Sequence, residues 1–156
     1  MDVYQKLNEL GLTLPAPPAK GGMYAPAKRF ANNLYYISGC GPVLDAPIKG
    51  KLGKEFTTEQ GKIYARNCML NVLAVLEAAI GDLRKVKSAV KILVFVAGTD
   101  SFDEQPQVAN GASQLLADLF GEPGIPSRSA IGVNALPGNI PVEIEGLFEV
   151  DINAAV

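Results

Sequence analysis

One segment near the end of the chain places three carboxylates on one side of a predicted strand. Residues 142–150 read VEIEGLFEV, in which apolar and acidic residues alternate. Because successive side chains of a strand point to opposite faces, Glu143, Glu145 and Glu149 share one face. Carboxylates this close repel one another unless water or a cation attends them. The pattern fits a strand whose acidic face meets solvent, and it also fits a cleft in which one glutamate acts as a general base.

A single arginine stands at the head of another predicted strand, directly after a proline-anchored loop. The segment is IPSRSAI, residues 125–131, and its charged residue is Arg128. A guanidinium is a permanently charged planar fork that binds a carboxylate or a phosphate through paired hydrogen bonds. The same residue also fits an ordinary surface ion pair. Taken alone, neither Arg128 nor Glu143 identifies a function.

The composition excludes several kinds of chemistry. The 156 residues include no histidine, which removes the commonest base at neutral pH, the usual zinc ligand and every Ser–His or Cys–His nucleophile. The two cysteines, Cys40 and Cys68, cannot build a disulfide framework and predict a reducing compartment. Sixteen acidic against fourteen basic residues leave a formal charge of −2, which argues against a broad nucleic-acid surface.

The length and the apolar pattern predict a single cytoplasmic domain. Hydrophobic residues make up 48% of the chain and charged residues 19%, as in ordinary globular proteins. The first residues lack both the basic start and the apolar run of a signal peptide. The uninterrupted apolar stretches are shorter than the roughly 20 residues that span a bilayer. We therefore expect no membrane partner.

The remaining residues predict the elements that hold these side chains. A capping box at Thr57 and Gln60 opens the clearest helix, which Gly81 ends. Residues 40–56 form a loop with one edge strand near Val43–Ile48. The other predicted elements are a short helix at 2–11 with Val3, Leu7 and Leu10 on one side, two strands between 27 and 39, a strand at 86–97, a helix at 105–120, and strands at 128–136 and 140–150.

This order predicts an α+β fold, in which two helices cover one face of a mostly antiparallel sheet. The other face would need cover, and a chain of this size has no third layer to supply it. Association of several copies through the sheet is the economical solution. We therefore expect Leu93 and Phe95 to be buried between subunits.

The segment from 126 to 145, PSRSAIGVNALPGNIPVEIE, resembles the C-terminal signature of the RidA/YjgF family. The signature begins with a proline, a small residue, an arginine and a second small residue. An alternating strand and a Leu-Pro pair follow, and the signature ends with an apolar residue, a glutamate and an isoleucine. Earlier, Gly22-Met23-Tyr24 is similar to the family's Gly-x-Tyr, and Ser38-Gly39 is similar to its Ser-Gly strand end. Without the resemblance, Tyr24 also fits packing beside a turn and Ser38-Gly39 an ordinary strand end. The resemblance covers about residues 22–150, so we expect one domain at 22–156 and an N-terminal extension at 1–21.

The resemblance implies a chorismate-mutase-like mixed sheet with two helices on one face, assembled as a homotrimer with clefts between subunits. It also implies hydrolysis of reactive 2-imino or enamine acids to 2-oxo acids and ammonia. Arg128 would hold the substrate carboxylate and Glu143 would activate water. Tyr24, Ser38 and Gly39 would line the ligand site. No metal or organic cofactor is implied.

Two positions depart from the family members that have deaminase activity. A cysteine is expected two residues after the arginine, where this chain has Ala130. An asparagine is expected on the second helix, where this chain has Ser113, while Asn110 lies one turn earlier and could point the same way. These departures leave open a trimer that binds small carboxylates without turning them over. Ribonuclease activity, attributed to some family members, is a third alternative.

A hairpin centred near Gly138 would pair the last two predicted strands. In that register Arg128 and Glu143 would lie roughly 17 Å apart, which is too far to share one small substrate. We therefore expect that the arginine and the glutamate that serve one ligand come from different chains.

Overall fold

A computed structural model describes residues 1–42 and 45–154 of the chain. These residues form an α+β fold with one five-stranded sheet and three α-helices, as the sequence predicts. The elements are α1 (Val3–Glu9), β1 (Ala27–Phe30), β2 (Leu34–Cys40), α2 (Thr58–Ile80), β3 (Val86–Ala97), α3 (Gln105–Phe120), β4 (Ser127–Val133) and β5 (Val142–Val150).

The sheet is mixed, with strand order β1-β2-β5-β3-β4. Only β3 and β4 run parallel, and the other three pairs are antiparallel. The helices α2 and α3 pack against each other and against one face of this sheet, which confirms the predicted layers. The capping box at Thr57 and Gln60 opens α2, and Gly81 closes it with a φ of 85°.

The helix α1 belongs to the same core, because Val3 and Leu7 are buried in it. Its attachment is also polar, since the Tyr4 hydroxyl donates to Glu77 (2.6 Å) and accepts from the Leu83 backbone N–H (2.9 Å). Leu10 does not lie on the buried side as predicted and remains 45% exposed. The helix ends at Glu9, so Leu10 lies past its last turn.

The helix α2 is long and apolar enough, by length and composition alone, to cross a membrane. Its most apolar 18-residue window has a mean hydropathy of 1.3. More than half of that window is buried inside the domain, and the buried side chains, Met69 and Leu73 among them, lie in the hydrophobic core. We interpret α2 as the core helix of a globular domain.

The predicted hairpin between the last two strands is wrong, because β3 lies between them. β4 pairs with β3 in parallel, with Arg128 opposite Ile92, and β5 pairs with the other edge of β3. From Lys91 to Ala97, the part of β3 that pairs with both neighbours, side chains on both faces are buried or half-buried, as a central strand requires. Residues 134–141 therefore cross the end of β3, with a turn at Pro137–Asn139.

Register shifts in β3 and β2 interrupt the predicted alternation, and one lies between Val86 and Ser88. In β3 the register shifts between Ala89 and Lys91, so Val90 leaves the buried row and is 38% exposed. In β2 the register shifts between Ile37 and Cys40. Of the predicted edge strand at Val43–Ile48, the first two residues lie outside the described residues, and residues 45–48 form no strand.

Candidate active site

The carboxylates of β5 lie on the sheet face that the helices leave open. Residues of β5 alternate between buried and half-buried along the whole strand, which confirms the predicted period of two. Two of the three glutamates have partners on this face: Tyr36 donates its hydroxyl to Glu145 (2.8 Å), and Lys87 lies 3.2 Å from Glu149. The carboxylate of Glu143 lies instead against the backbone of a neighbouring strand.

That neighbouring backbone is the bulge of β2, at Gly39. A Cβ atom built on Gly39 would lie 2.5 Å from Oε1 of Glu143 and 3.0 Å from its carboxyl carbon. Such distances are below van der Waals contact, so a residue with a side chain at position 39 would push the carboxylate away. Glycine at position 39 therefore leaves room for the carboxylate by close approach and not by its φ angle.

A cavity of about 400 Å³ opens beside this bulge. Three of the predicted ligand-binding residues, Tyr24, Ser38 and Gly39, line it together. The Ser38 hydroxyl donates to the Ala25 carbonyl (2.7 Å), and the Ser38 backbone N–H donates to the Pro26 carbonyl (2.9 Å). Ser38 therefore fixes residues 25 and 26, which lie between Tyr24 and β1. The proton of the Ser38 hydroxyl is used in the hydrogen bond to Ala25.

Burial changes the protonation of the groups near this cavity. Desolvation raises the pKa of Glu143, and the nearby charge of Glu145 raises it further. Burial, with a contribution from Glu143, raises the pKa of the Cys40 thiol to about 11. The thiol of Cys40 is consequently protonated at neutral pH and a poor nucleophile. Among the three glutamates of this face, Glu143 is the one whose pKa is shifted upward by its surroundings.

Arg128 lies on the other face of the sheet, under α3. Its Nη1 donates to Oδ1 of Asn110 (2.7 Å) and to Oγ of Ser113 (3.2 Å). Asn110 and Ser113 are three residues apart on one helix and so present their side chains to the same guanidinium. Ala130, two residues further along β4, packs against the hydrophobic core.

The predicted site residues therefore form two groups that one chain does not bring together. Glu143, Gly39, Ser38 and Tyr24 form the glutamate half, and Arg128, Asn110 and Ser113 form the arginine half. Glu143 pairs with Phe95 of β3, and Phe95 pairs with Ile131 of β4. Ile131 lies three residues beyond Arg128 in the same strand. Three residues along the strands and two strands across separate the two Cα atoms by about 14 Å. The two side chains also point to opposite faces.

Several contributors to the glutamate half were not predicted from the sequence. The N-terminal segment supplies Lys20 to the cavity wall, and the 134–141 crossover supplies Ile140. Asn71, a buried polar residue of α2, donates to the Gly41 carbonyl (2.9 Å) and holds the bulge from below. An asparagine inside an apolar helical run was the available signal for this support. Among residues 1–42 and 45–154, no three His, Cys, Asp or Glu side chains are grouped to hold a metal ion.

Comparison with known proteins adds a second line of observation. The sequence model of the family described as endoribonuclease L-PSP matches residues 14–150. The Trypanosoma cruzi protein TCP17 is 40% identical over 152 residues, 96% of this chain and 94% of that protein. A Dermatophagoides farinae protein named 2-iminobutanoate/2-iminopropanoate deaminase is 26% identical over 90% of this chain and 95% of its own length. The crystal structure of a candidate endoribonuclease from Shewanella oneidensis superposes with a TM-score of 0.91, at 29% identity, over 96% of this chain and 100% of that one.

Proposed function

This chain belongs to the endoribonuclease L-PSP family, also known as the RidA/YjgF family, and we propose that it hydrolyses 2-imino acids and their enamine tautomers to 2-oxo acids and ammonia. The observation that carries the proposal is the pair of half-sites. One chain offers a guanidinium suited to a carboxylate and, separately, a half-buried carboxyl packed against Gly39, a residue of the cavity wall. The deaminase name of a relative supports the same reaction.

We propose that the two halves meet between subunits of a homotrimer. The open sheet face carries apolar side chains that helices of the same chain do not cover, among them Leu93, Phe95, Leu147 and Ile131. A neighbouring copy that covered this face would also bring its own strand ends to the first chain. Light scattering at micromolar concentration is expected to give three times the chain mass of 16.5 kDa. A stable monomer would contradict the shared site.

In such a cleft Arg128 would bind the substrate carboxylate. The guanidinium keeps donors for a ligand in addition to Nη1, which Asn110 and Ser113 already hold. Two parallel hydrogen bonds to the carboxylate fix its plane and thereby the position of the adjacent C=N carbon. Orientation of this kind places the electrophilic carbon at one defined point of the cavity.

Glu143 of the other subunit would activate the water. The water oxygen bonds to the C=N carbon while one of its protons passes to the Glu143 carboxylate. The carboxyl then returns this proton to the nitrogen, which gives a carbinolamine. The proton of the new hydroxyl group passes to the nitrogen by way of the same carboxylate, the C–N bond breaks, and ammonia leaves as the C=O bond forms. A raised pKa of Glu143 strengthens the carboxylate as a base and the carboxylic acid remains able to return the proton.

The direct test measures hydrolysis of an imine generated in the same tube. An amino acid oxidase supplies 2-iminobutanoate, and the release of 2-oxobutanoate is compared with the spontaneous rate. Glu143→Gln is expected to lower kcat about 1,000-fold, since general base catalysis contributes factors of this order. Glu149→Gln, on the same face and paired with Lys87, is the matched control and is expected to keep the activity. Hydrolysis no faster than the spontaneous rate would contradict the proposal.

A second candidate function is a trimer that binds small carboxylates without turnover. It is favoured by Ala130, which stands where active family members have a cysteine. Binding of 2-oxobutanoate together with failure of the hydrolysis assay would select it.

Ribonuclease activity is the third candidate, because relatives carry that name. The absence of histidine and the net charge of −2 oppose it, and an assay with RNA tests it.

The state of the cysteines supports a cytoplasmic location for this activity. Cys40 and Cys68 are both free and buried. Free thiols persist where the compartment is reducing. We propose that the protein works in the cytoplasm, where imines released by other enzymes would be its substrates.

A further inference from the structure

The segment before β1 brings one positive charge to the cavity of the glutamate half. Lys20 lines this cavity together with its neighbours Pro18, Ala19 and Gly21. Lys20 has no ion-pair partner among residues 1–42 and 45–154. An ammonium at the wall of a partly enclosed cavity attracts an anionic group of a ligand more strongly than an ammonium in open solvent does.

The rest of the cavity wall carries no other charge. Beyond Lys20 it consists of apolar side chains, glycines, the Tyr24 phenol, the Ser38 hydroxyl and the protonated thiol of Cys40. The Ser38 hydroxyl is engaged by the Ala25 carbonyl. The carboxylate of Glu143 lies against Gly39 and would repel a ligand carboxylate placed next to it. Within the part of the chain that the structure describes, Lys20 is therefore the one charged residue of this cavity wall that attracts a negative group.

We propose that Lys20 makes the site selective for 2-imino acids with an acidic side chain, that is, for dicarboxylates. This inference rests on the proposed function, because it takes the same cavity as the place where the imino acid is held. Arg128 of a neighbouring subunit binds the carboxylate next to the C=N carbon. Lys20 binds the carboxylate at the end of the side chain. A substrate with an apolar side chain leaves the Lys20 ammonium without an anionic partner.

Two product-like acids of equal chain length separate the two carboxylates. 2-Oxoglutarate carries a terminal carboxylate where 2-oxopentanoate carries a methyl group. Calorimetric titration of the full-length protein is expected to show about tenfold tighter binding of 2-oxoglutarate, the factor of a charge-assisted hydrogen bond at the lower end of its range. Lys20→Met is expected to bring the two affinities within about twofold of each other, by weakening 2-oxoglutarate alone.

Two further variants make the result specific to position 20. Lys20→Arg keeps the charge and is expected to keep the preference. Lys28→Met removes an exposed lysine of β1 and is the matched control, with the preference unchanged. Lys20 is exposed and lies outside the helices and strands. Its replacement is therefore expected to leave the thermal unfolding midpoint unchanged.

Three outcomes would overturn the inference. Equal binding of both acids by the natural protein would show that the cavity does not recognise the terminal carboxylate. Equal weakening of both acids by Lys20→Met would assign Lys20 to the carboxylate beside the C=N carbon. In either case hydrolysis of 2-iminobutanoate would continue and the proposed function would stand. Failure to bind either acid, together with no hydrolysis, would remove the proposed function as well.

Discussion

The two halves of the candidate site are built by different means. In the glutamate half, a carboxylate is placed by the absence of a side chain, because Glu143 occupies the space that any Cβ at Gly39 would need. In the arginine half, the guanidinium is placed by two side chains of α3, through hydrogen bonds of 2.7 and 3.2 Å. A substitution at Gly39 moves the carboxylate itself, whereas the hydrogen-bonding partners of Arg128 can be exchanged one at a time. Sequence variation is therefore expected around the arginine sooner than around the glutamate.

The sheet keeps the two halves of one chain apart. Glu143 points to the open face and Arg128 to the helix-covered face, so no side-chain rearrangement brings them to one ligand. The hairpin from which the separation of Arg128 and Glu143 was predicted is wrong, although the two residues do lie far apart in one chain. Arg128 and Glu143 are kept apart because two strand spacings separate them and because they lie on opposite faces of the sheet. An offset along a hairpin is not the cause.

Mixing two inactive variants tests this division most strongly. Arg128→Ala and Glu143→Gln are each expected to be inactive as pure trimers. After joint refolding, roughly a quarter of the clefts receive both natural residues if each cleft takes one half from each of two chains. Activity is expected to return to about that fraction of the natural rate. The hydrolysis assay measures it, with mass spectrometry to verify mixed trimers.

The double variant Arg128→Ala/Glu143→Gln, refolded with the natural chain, is the control for this mixture. Refolding of each single variant alone is the second control and is expected to give no activity. Mixed trimers without recovered activity would place both residues in one chain, and the comparison between the halves would then fail.

The rigidity of the glutamate half is tested by Gly39→Ala. The added methyl group must displace the Glu143 carboxylate, because it would lie 2.5 Å from Oε1. A displacement of about 1 Å at a reacting group costs on the order of 100-fold in kcat. Gly41→Ala is the matched control in the same loop, since its Cβ meets only the flexible Cδ1 end of Ile140, at 2.9 Å. Equal kcat values for the two variants would show that Gly39 does not position the carboxylate.

Local patterns in the sequence were sufficient for most elements of the fold. The capping box at Thr57 and Gln60, the stop at Gly81 and the alternation of β5 each rest on neighbours a few residues apart, and the structure confirms each of them. The pairing of β4 was wrong because it depends on a distant strand. Turn residues such as Pro137-Gly138-Asn139 look alike in a hairpin and in a crossover, so the insertion of β3 left no local trace.

The site was predictable for residues that carry a motif and not for those that support it. Tyr24, Ser38 and Gly39 line one cavity, and Asn110 and Ser113 both reach Arg128, as their spacing suggested. Lys20 and Asn71 belong to segments without a motif, and only the tertiary structure brings them to the bulge of β2. Contacts between distant segments are decided by packing, which one sequence does not display.

The exchangeable partners of the arginine half predict a smaller effect than Gly39→Ala. Asn110→Ala removes the shorter hydrogen bond to Arg128 and is expected to raise KM about tenfold with kcat unchanged, because a hydrogen bond to a charged group contributes about 1.5–3 kcal/mol. Ser113→Ala, which removes the longer bond, is expected to raise KM less. Gln114→Ala is the control, since Gln114 bonds Asp118 on the exposed side of α3. A fall in kcat at constant KM would contradict a role in carboxylate binding.

The smallest expected effect distinguishes the halves by their response to pH. Desolvation first and the charge of Glu145 second raise the pKa of Glu143, so Glu145→Gln is expected to lower that pKa in part. The acid limb of kcat/KM, where the base becomes protonated, then moves to lower pH.

The stability of the protein depends on the same group. Because the pKa of Glu143 is higher in the folded than in the unfolded chain, the folded state binds more protons at pH values between the two pKa values. The free energy of unfolding therefore falls as pH rises through that window. Glu145→Gln narrows the window, so the fall becomes smaller, which denaturant unfolding at a series of pH values measures. Glu149→Gln is the matched control on the same face, since Glu149 pairs with Lys87 and does not contribute to the pKa of Glu143. An acid limb that shifts equally in both variants would show that general surface charge, and not the neighbouring carboxylate, sets the protonation of Glu143.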